Sequence, residues 1–208
     1  MKNLDLTRLR NSETNGTCWD VGNKILYDLC KRFPAHNDQE EILAKIWIIG
    51  RSYAAAIERR KKFNNYKGDS FHRSIVGPRM LAARIDDWLQ PLHILKRPSL
   101  ENADQIIAAH KKLTDLFFRM TGLEKRSLAS KYLHFHFPNL FYLYDSRAVQ
   151  ELSKTCRRPK QSVHLKEHDV VYATYFLRCL EFLTKINDEH GITLNPRQLD
   201  NYLLGFGE

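Results

Sequence analysis

The residues best suited to chemistry follow a glycine turn in the second half of the chain. Thr121-Gly122-Leu123 separates two apolar stretches, and the next residues carry charges or hydroxyl groups. A glycine turn between helices leaves backbone N–H groups at a helix N-terminus, where a phosphate can bind. Side chains beside the turn add further donors. The sequence therefore predicts a phosphate-binding turn at Gly122, with donors from Lys125, Arg126, Ser127 and Ser130.

A second group of candidates lies earlier in the chain. Arg51-Ser52-Tyr53 and the basic run Glu58-Arg59-Arg60-Lys61-Lys62 are expected on one long helix, with Arg51 and Glu58 on the same face. Tyr53 is either a base-stacking residue or a core tyrosine. Arg59 and Arg60 either hold phosphates or form a solvated helix end. The sequence leaves both pairs of alternatives open.

The sequence predicts neither a metal site nor a cofactor site. His134-x-His136 and the pair His164 and His168 lack a third ligand at motif spacing, so no metal is expected. The chain has no dinucleotide or P-loop fingerprint, so no cofactor is expected either. The 4 cysteines form no C-x-x-C pair and predict buried thiols in a reducing compartment.

The elements that must position these residues are helical. Apolar residues recur at three- and four-residue spacing, in segments that end at glycine, proline or asparagine, and no alternation typical of strands is present. We expect an all-α fold: a single compact multi-helix domain over 1–208, with a loose N-terminal arm at 1–17 and a hairpin-helix-loop-Asp segment at 120–155. Residues 154–167 are expected to form a basic loop. Asp145 is expected to cap the helix that follows it.

Composition narrows the class of partner. Lysine and arginine number 33 against 24 aspartates and glutamates, a surplus that attracts polyanions such as nucleic acid. The N-terminus does not resemble a signal peptide, and the longest apolar stretch, near residues 42–50, is too short to cross a bilayer. We therefore expect a cytoplasmic protein that binds DNA and no membrane.

The segment from Met120 to Arg147 resembles the helix-hairpin-helix DNA glycosylases, and most closely the archaeal-type 8-oxoguanine DNA glycosylases. Ala129-Ser130 followed by Tyr132-Leu133, and Leu143-Tyr144-Asp145-Ser146-Arg147, fit the layout of that family. There, a hairpin leads into a helix and then into a loop that ends at an aspartate. The resemblance covers about thirty of the 208 residues and implies a helix-hairpin-helix-like element.

The resemblance also implies site residues. Asp145 would be the catalytic residue, which stabilises positive charge on the sugar and orients or deprotonates water; Arg147 and Lys131 would lie near the pocket. Two departures matter. Glu124 stands near the place of a second hairpin glycine, and Ser127 stands where bifunctional members have a lysine nucleophile. A monofunctional enzyme is therefore expected, with Lys131 as a Schiff-base nucleophile as the alternative.

The function expected from these observations is a DNA glycosylase that flips a modified base out of DNA, hydrolyses its N-glycosidic bond and leaves an abasic site. Defence against phage whose DNA carries modified bases and base-excision repair are both suitable settings. The main alternative is a non-catalytic nucleic-acid-binding helical module. A helical protein-interaction domain is a third interpretation.

Overall fold

The computed structural model describes residues 5–10, 17–63, 65–156 and 168–205. All regular structure in these ranges is helical, which confirms the predicted all-α fold. The α-helices are α1 (Leu6–Arg10), α2 (Cys18–Arg32), α3 (Gln39–Ser52), α4 (Gly68–Phe71), α5 (Gly77–Ala82), α6 (Ile85–Leu89), α7 (Ala103–Thr121), α8 (Arg126–His136), α9 (Ser146–Thr155), α10 (Val170–His190) and α11 (Pro196–Leu204). A π-helical turn spans His72–Val76 and a 3₁₀ turn spans Gln90–Ile94. None of the helices in the described ranges has the length and apolar character needed to cross a membrane.

Helix α8 lies in the interior and organises the fold around it. It packs against α2, α3 and α7, and each of its residues from 128 to 135 is buried. Helix α9 packs against α10 and α11. The loop before α9 is tied to α8, because the Tyr144 backbone N–H donates to Ser130 Oγ at 2.9 Å. As a result, the N-terminus of α9 and the middle of α8 meet.

The long helix predicted to run through residue 62 is wrong. Helix α3 ends at Ser52, and Ala54 adopts a left-handed φ of 51°. Gly50 permits the reversal, since a Cβ at this position would lie 3.1 Å from Ala56 Cα. Arg51 and Glu58 still form an ion pair, because the chain folds back and not because they share a helix face.

Two further helix boundaries depend on details of the backbone. Residues 77–89 do not form one continuous helix, because Arg84, with a φ of 52°, separates α5 from α6. In the predicted N-terminal arm, residues 6–10 form α1, and Leu9 is fully buried. The rest of that arm at 1–4 and 11–16, and positions 157–167 of the predicted basic loop, lie outside the described residues.

Candidate functional site

A buried amine and a partly exposed carboxylate meet where α8 and α9 approach each other. Lys131 Nζ lies 3.9 Å from Asp145 Oδ2; the lysine side chain is 4% exposed and the aspartate side chain 31% exposed. The same amine donates to Ser127 Oγ at 2.6 Å and to the Tyr144 carbonyl at 3.1 Å. Two hydrogen bonds thus hold Nζ in position, and the Asp145 carboxylate is its ion-pair partner.

Asp145 caps α9, as the sequence predicted. Its Oδ1 accepts a hydrogen bond from the Arg147 backbone N–H at 3.0 Å, while Oδ2 faces Lys131. The positive end of the α9 helix dipole lies at this carboxylate. Arg147 adds a guanidinium 3.8 Å from Oδ1, on a side chain that is 70% exposed. One carboxylate oxygen of Asp145 therefore caps α9, while the other contacts the buried amine.

The Tyr53 ring lies next to the amine. Its ring centroid is 5.7 Å from Lys131 Nζ. Its hydroxyl donates to Asn23 Oδ1 at 2.5 Å and accepts from Arg197 Nη2 at 2.7 Å. Arg197 also forms an ion pair with Asp200 at 3.1 Å. Helices α2 and α11 thus lock the ring that closes the site.

A second branch of this network reaches α8. His134 Nδ1 lies 2.9 Å from the Phe141 carbonyl, so Nδ1 carries the proton and donates. Burial keeps the pKa of His134 well below its usual value, so the ring is neutral and Nε2 accepts from the Tyr27 hydroxyl at 2.6 Å. The Tyr27 hydroxyl in turn accepts a hydrogen bond from Arg197 Nε at 3.4 Å. The guanidinium is therefore fixed by three separate partners.

Burial changes the acid–base behaviour of the site. Desolvation lowers the pKa of Lys131, against the opposing effects of Asp145 and Asp200. Desolvation raises the pKa of Asp200 to about 6, although Arg197 and Lys131 oppose it. Asp200 Oδ1 is inaccessible and has no hydrogen-bond partner among the described residues. The site thus holds an amine that loses its proton more readily than usual.

A cavity borders the same network. Phe135 and Arg197 both lie against the Tyr53 ring, at 5.6 Å between the ring centroids and 5.6 Å from the guanidinium carbon to the ring. Both residues also line a cavity of about 900 Å³, together with Tyr27 and His93. Considerable open space therefore begins one residue layer from Tyr53.

At the predicted phosphate-binding turn, two backbone N–H groups have internal acceptors. The Gly122 N–H donates to the Phe118 carbonyl at 2.8 Å, and the Leu123 N–H donates to Thr121 Oγ1 at 3.2 Å. Phe63 covers the turn, since a Cβ on Gly122 would lie 2.9 Å from its ring. Gly122 thus provides a left-handed helix end, with φ 71°, and a close packing contact.

The side chains beside the turn also have internal partners. Lys125 Nζ donates to the Arg59 carbonyl at 2.5 Å. Arg126 pairs with Asp169 at 2.5 Å and with Glu124. Ser130 is fully buried and donates to the Ser127 carbonyl at 3.0 Å. These contacts fix the N-terminal half of α8. Ser127 fixes the Lys131 amine in the same way.

The basic segment at 59–62 lies beside this region. Lys125 ties Arg59 to the start of α8, and the Lys62 N–H donates to the Thr121 carbonyl at 2.7 Å. Arg60 and Lys62 are exposed. No side chain caps α8, whose N-cap residue is Lys125. Cations therefore surround the N-terminus of the helix that carries Lys131. Arg51 is engaged elsewhere, with Glu58 and over the Trp47 ring.

The sequence predicted only some of the residues that meet in this site. Asp145, Lys131, Ser127 and Tyr53 meet as described, with Arg147 at the edge. The residues it missed come from the two ends of the chain and have no motif of their own. They are Asn23, Tyr27, Arg197 and Asp200, with Trp19 beside Tyr53.

No family model, curated protein or solved structure matches this chain. Its function has to be inferred from the geometry of the site.

Proposed function

We propose that this protein is a DNA glycosylase in which Lys131 and Asp145 act on the sugar of an extruded nucleotide. The observation that carries the proposal is the contact between a desolvated amine and a partly exposed carboxylate at a helix N-terminus. Burial lowers the pKa of an amine and so increases its neutral, nucleophilic fraction. An unusual pKa beside a charged partner is typical of functional sites.

The chemistry fits cleavage of an N-glycosidic bond. Neutral Nζ attacks C1′, the C1′–N bond breaks, and its electron pair leaves with the base, which takes a proton from water. The carboxylate of Asp145 stabilises positive charge on the sugar and accepts a proton from the alkylated amine. The C1′–O4′ bond then breaks, O4′ takes the proton from Asp145, and the nitrogen lone pair forms the C=N bond of a Schiff base between Lys131 and C1′. This route favours Lys131 over water as the nucleophile, which is the alternative that the sequence left open.

The surroundings suit a DNA substrate. The formal net charge of +9 attracts a polyanion. Arg60 and Lys62 are exposed near the N-terminus of α8, and Arg147 is exposed beside Asp145. The cavity of about 900 Å³ that begins behind Arg197 and Phe135 offers room for a modified base. The setting proposed is either defence against phage with modified DNA or base-excision repair.

The test is release of free base, measured by mass spectrometry from phage DNA with and without modified bases and from duplexes that carry single modified bases. We expect release by the wild type and none by Asp145→Asn, which keeps a capping side chain. Sodium borohydride should trap a covalent complex with the wild type and none with Lys131→Met.

Base release without trapping would assign the attack to water. Salt-sensitive DNA binding without base release, unchanged in Asp145→Asn, would instead identify a non-catalytic nucleic-acid-binding module.

A further inference from the structure

Arg197 lines the large cavity and still has hydrogen-bond donors to offer. A guanidinium carries five N–H groups. Nε donates to Tyr27, Nη1 to Asp200 and Nη2 to Tyr53, so one N–H on each of Nη1 and Nη2 has no acceptor among the described residues. Because the side chain is 18% exposed and lines the cavity, a ligand there can reach these donors.

The guanidinium is held in one place and keeps its charge. Its central carbon lies 5.6 Å from the Tyr53 ring and 5.9 Å from the Phe135 ring. Burial opposes the charge of Arg197, but Tyr53, Tyr27 and Asp200 raise its pKa above the usual value. Arginine side chains stay protonated in proteins in any case. The cavity wall therefore contains a fixed cation.

The rest of the cavity suits a planar, negatively charged group. Phe135 and Phe137 give the wall aromatic surface, and Lys31 adds a second cation. Asp86 is a carboxylate of the same wall, but His36 already occupies it, with the backbone N–H at 2.8 Å and Nδ1 at 2.6 Å. A heterocyclic anion thus meets aromatic surface and unused cationic donors in this cavity.

We propose that Arg197 is a catalytic residue that stabilises the negative charge on the departing base. This inference rests on the proposed function and deepens it. When the C1′–N bond breaks, its electron pair moves onto the base, which is an anion until it takes a proton from water. A fixed cation stabilises this charge more in the transition state than in the uncharged starting base. Arg197 keeps its own proton throughout.

The inference also defines a class of substrate. It favours nucleotides whose base leaves as an anion, such as 8-oxoguanine. A base alkylated on a ring nitrogen, such as 7-methylguanine, carries a positive charge in DNA and leaves as a neutral molecule. The Arg197 cation gives no assistance to that departure, so the two bases provide a direct comparison.

The first experiment measures release of 8-oxoguanine and of 7-methylguanine from duplex DNA. Arg197→Met alone would leave Asp200 buried without its ion-pair partner, so Arg197→Met with Asp200→Asn is compared with Asp200→Asn. Loss of Arg197 should lower kcat for 8-oxoguanine by about 100-fold or more and change that for 7-methylguanine little. Equal losses with both bases, or release of 7-methylguanine alone by the wild type, would overturn the inference.

A matched control tests for a general effect of charge. Arg73 is also an arginine paired with a carboxylate, Glu40, at 2.7 Å, but its side chain is 61% exposed and it does not line the cavity. Arg73→Met removes one positive charge, as does Arg197→Met. It should keep the wild-type ratio of the two release rates. A change of this ratio in Arg73→Met as large as that caused by loss of Arg197 would contradict a local role.

The second experiment measures binding of free bases by isothermal titration calorimetry and decides the inference whatever bases the wild type releases. Urate is an anion at neutral pH and hypoxanthine is not. The wild type and Asp200→Asn should bind urate about 10-fold more tightly or better, and the variant that also lacks Arg197 should lose this preference. A preference that is absent, or that survives loss of Arg197, refutes the inference even if base release occurs. A preference that depends on Arg197, without base release from any DNA, refutes the enzyme and keeps Arg197 as the residue that binds an anionic base.

Discussion

Replacement of Asp200 by asparagine should change how the stability of the protein depends on pH. In the folded state, burial raises the pKa of this carboxyl from 3.8 to about 6. The folded protein therefore binds a proton that the unfolded chain has lost over this range. The stabilising contribution of the neutral acid is complete below pH 3.8 and is lost as the pH rises to about 6. One pKa unit corresponds to about 1.4 kcal/mol, so the loss is about 3 kcal/mol.

The assay is urea unfolding of the wild type and Asp200→Asn at a series of pH values from about 3.5 to 7.5. The free energy of unfolding of the variant minus that of the wild type should increase by about 3 kcal/mol between the lower and upper ends of this pH range. It should not change further above the range. Other groups, such as His36 with a pKa lowered by burial to about 4, are common to both proteins and cancel in the difference. A difference that stays constant with pH would refute the reasoning, since it would mean that the Arg197 ion pair fully offsets the burial of the carboxylate.

Three further predictions concern single side chains. Lys131→Met should abolish base release, by about 10²-fold or more, yet leave the free energy of unfolding unchanged or higher in chemical denaturation, because a desolvated amine is removed. Gly122→Ala should cost about 2 to 4 kcal/mol, from a left-handed φ and a 2.9 Å approach to Phe63; Gly191→Ala, with φ 66° and no neighbour within 4 Å, should cost only about 1 kcal/mol. Asp145→Ala should lose about 1 kcal/mol in thermal unfolding through the missing cap, whereas asparagine retains it, and both should lose base release. Equal costs at the two glycines, or base release in any Lys131 or Asp145 variant, would contradict these expectations.

Helical periodicity and capping residues could be read directly from the sequence. The start of α9 at Asp145 and the end of α7 at Gly122 follow from local chemistry, a carboxylate that accepts backbone N–H groups and a residue that tolerates a left-handed φ. The early end of α3 does not follow. It depends on the contact between Gly50 and Ala56 and on a left-handed Ala54, which are properties of tertiary packing.

Only some residues of the candidate site could likewise be predicted from the sequence. Lys131 and Asp145 were found because both belong to one continuous segment. Arg197 could not be found, since it joins the site only when α11 packs against α9. Lys125 and Arg126, predicted as phosphate donors, have internal acceptors that the sequence did not reveal. A basic residue near a turn is a surface donor only if the fold leaves it without an internal acceptor, and the periodicity of one segment carries no information about the Arg59 carbonyl or the Asp169 carboxylate.

The enclosure of Lys131 also bears on chemical selectivity. An amine that gives up its proton easily condenses with any sugar or aldehyde that reaches it, and cells contain many of both. With 4% of this side chain accessible and the Tyr53 ring fastened by Asn23 and Arg197, small carbonyl metabolites are kept from the nitrogen. Burial of the side chain thus protects the nitrogen from condensation with small carbonyl compounds.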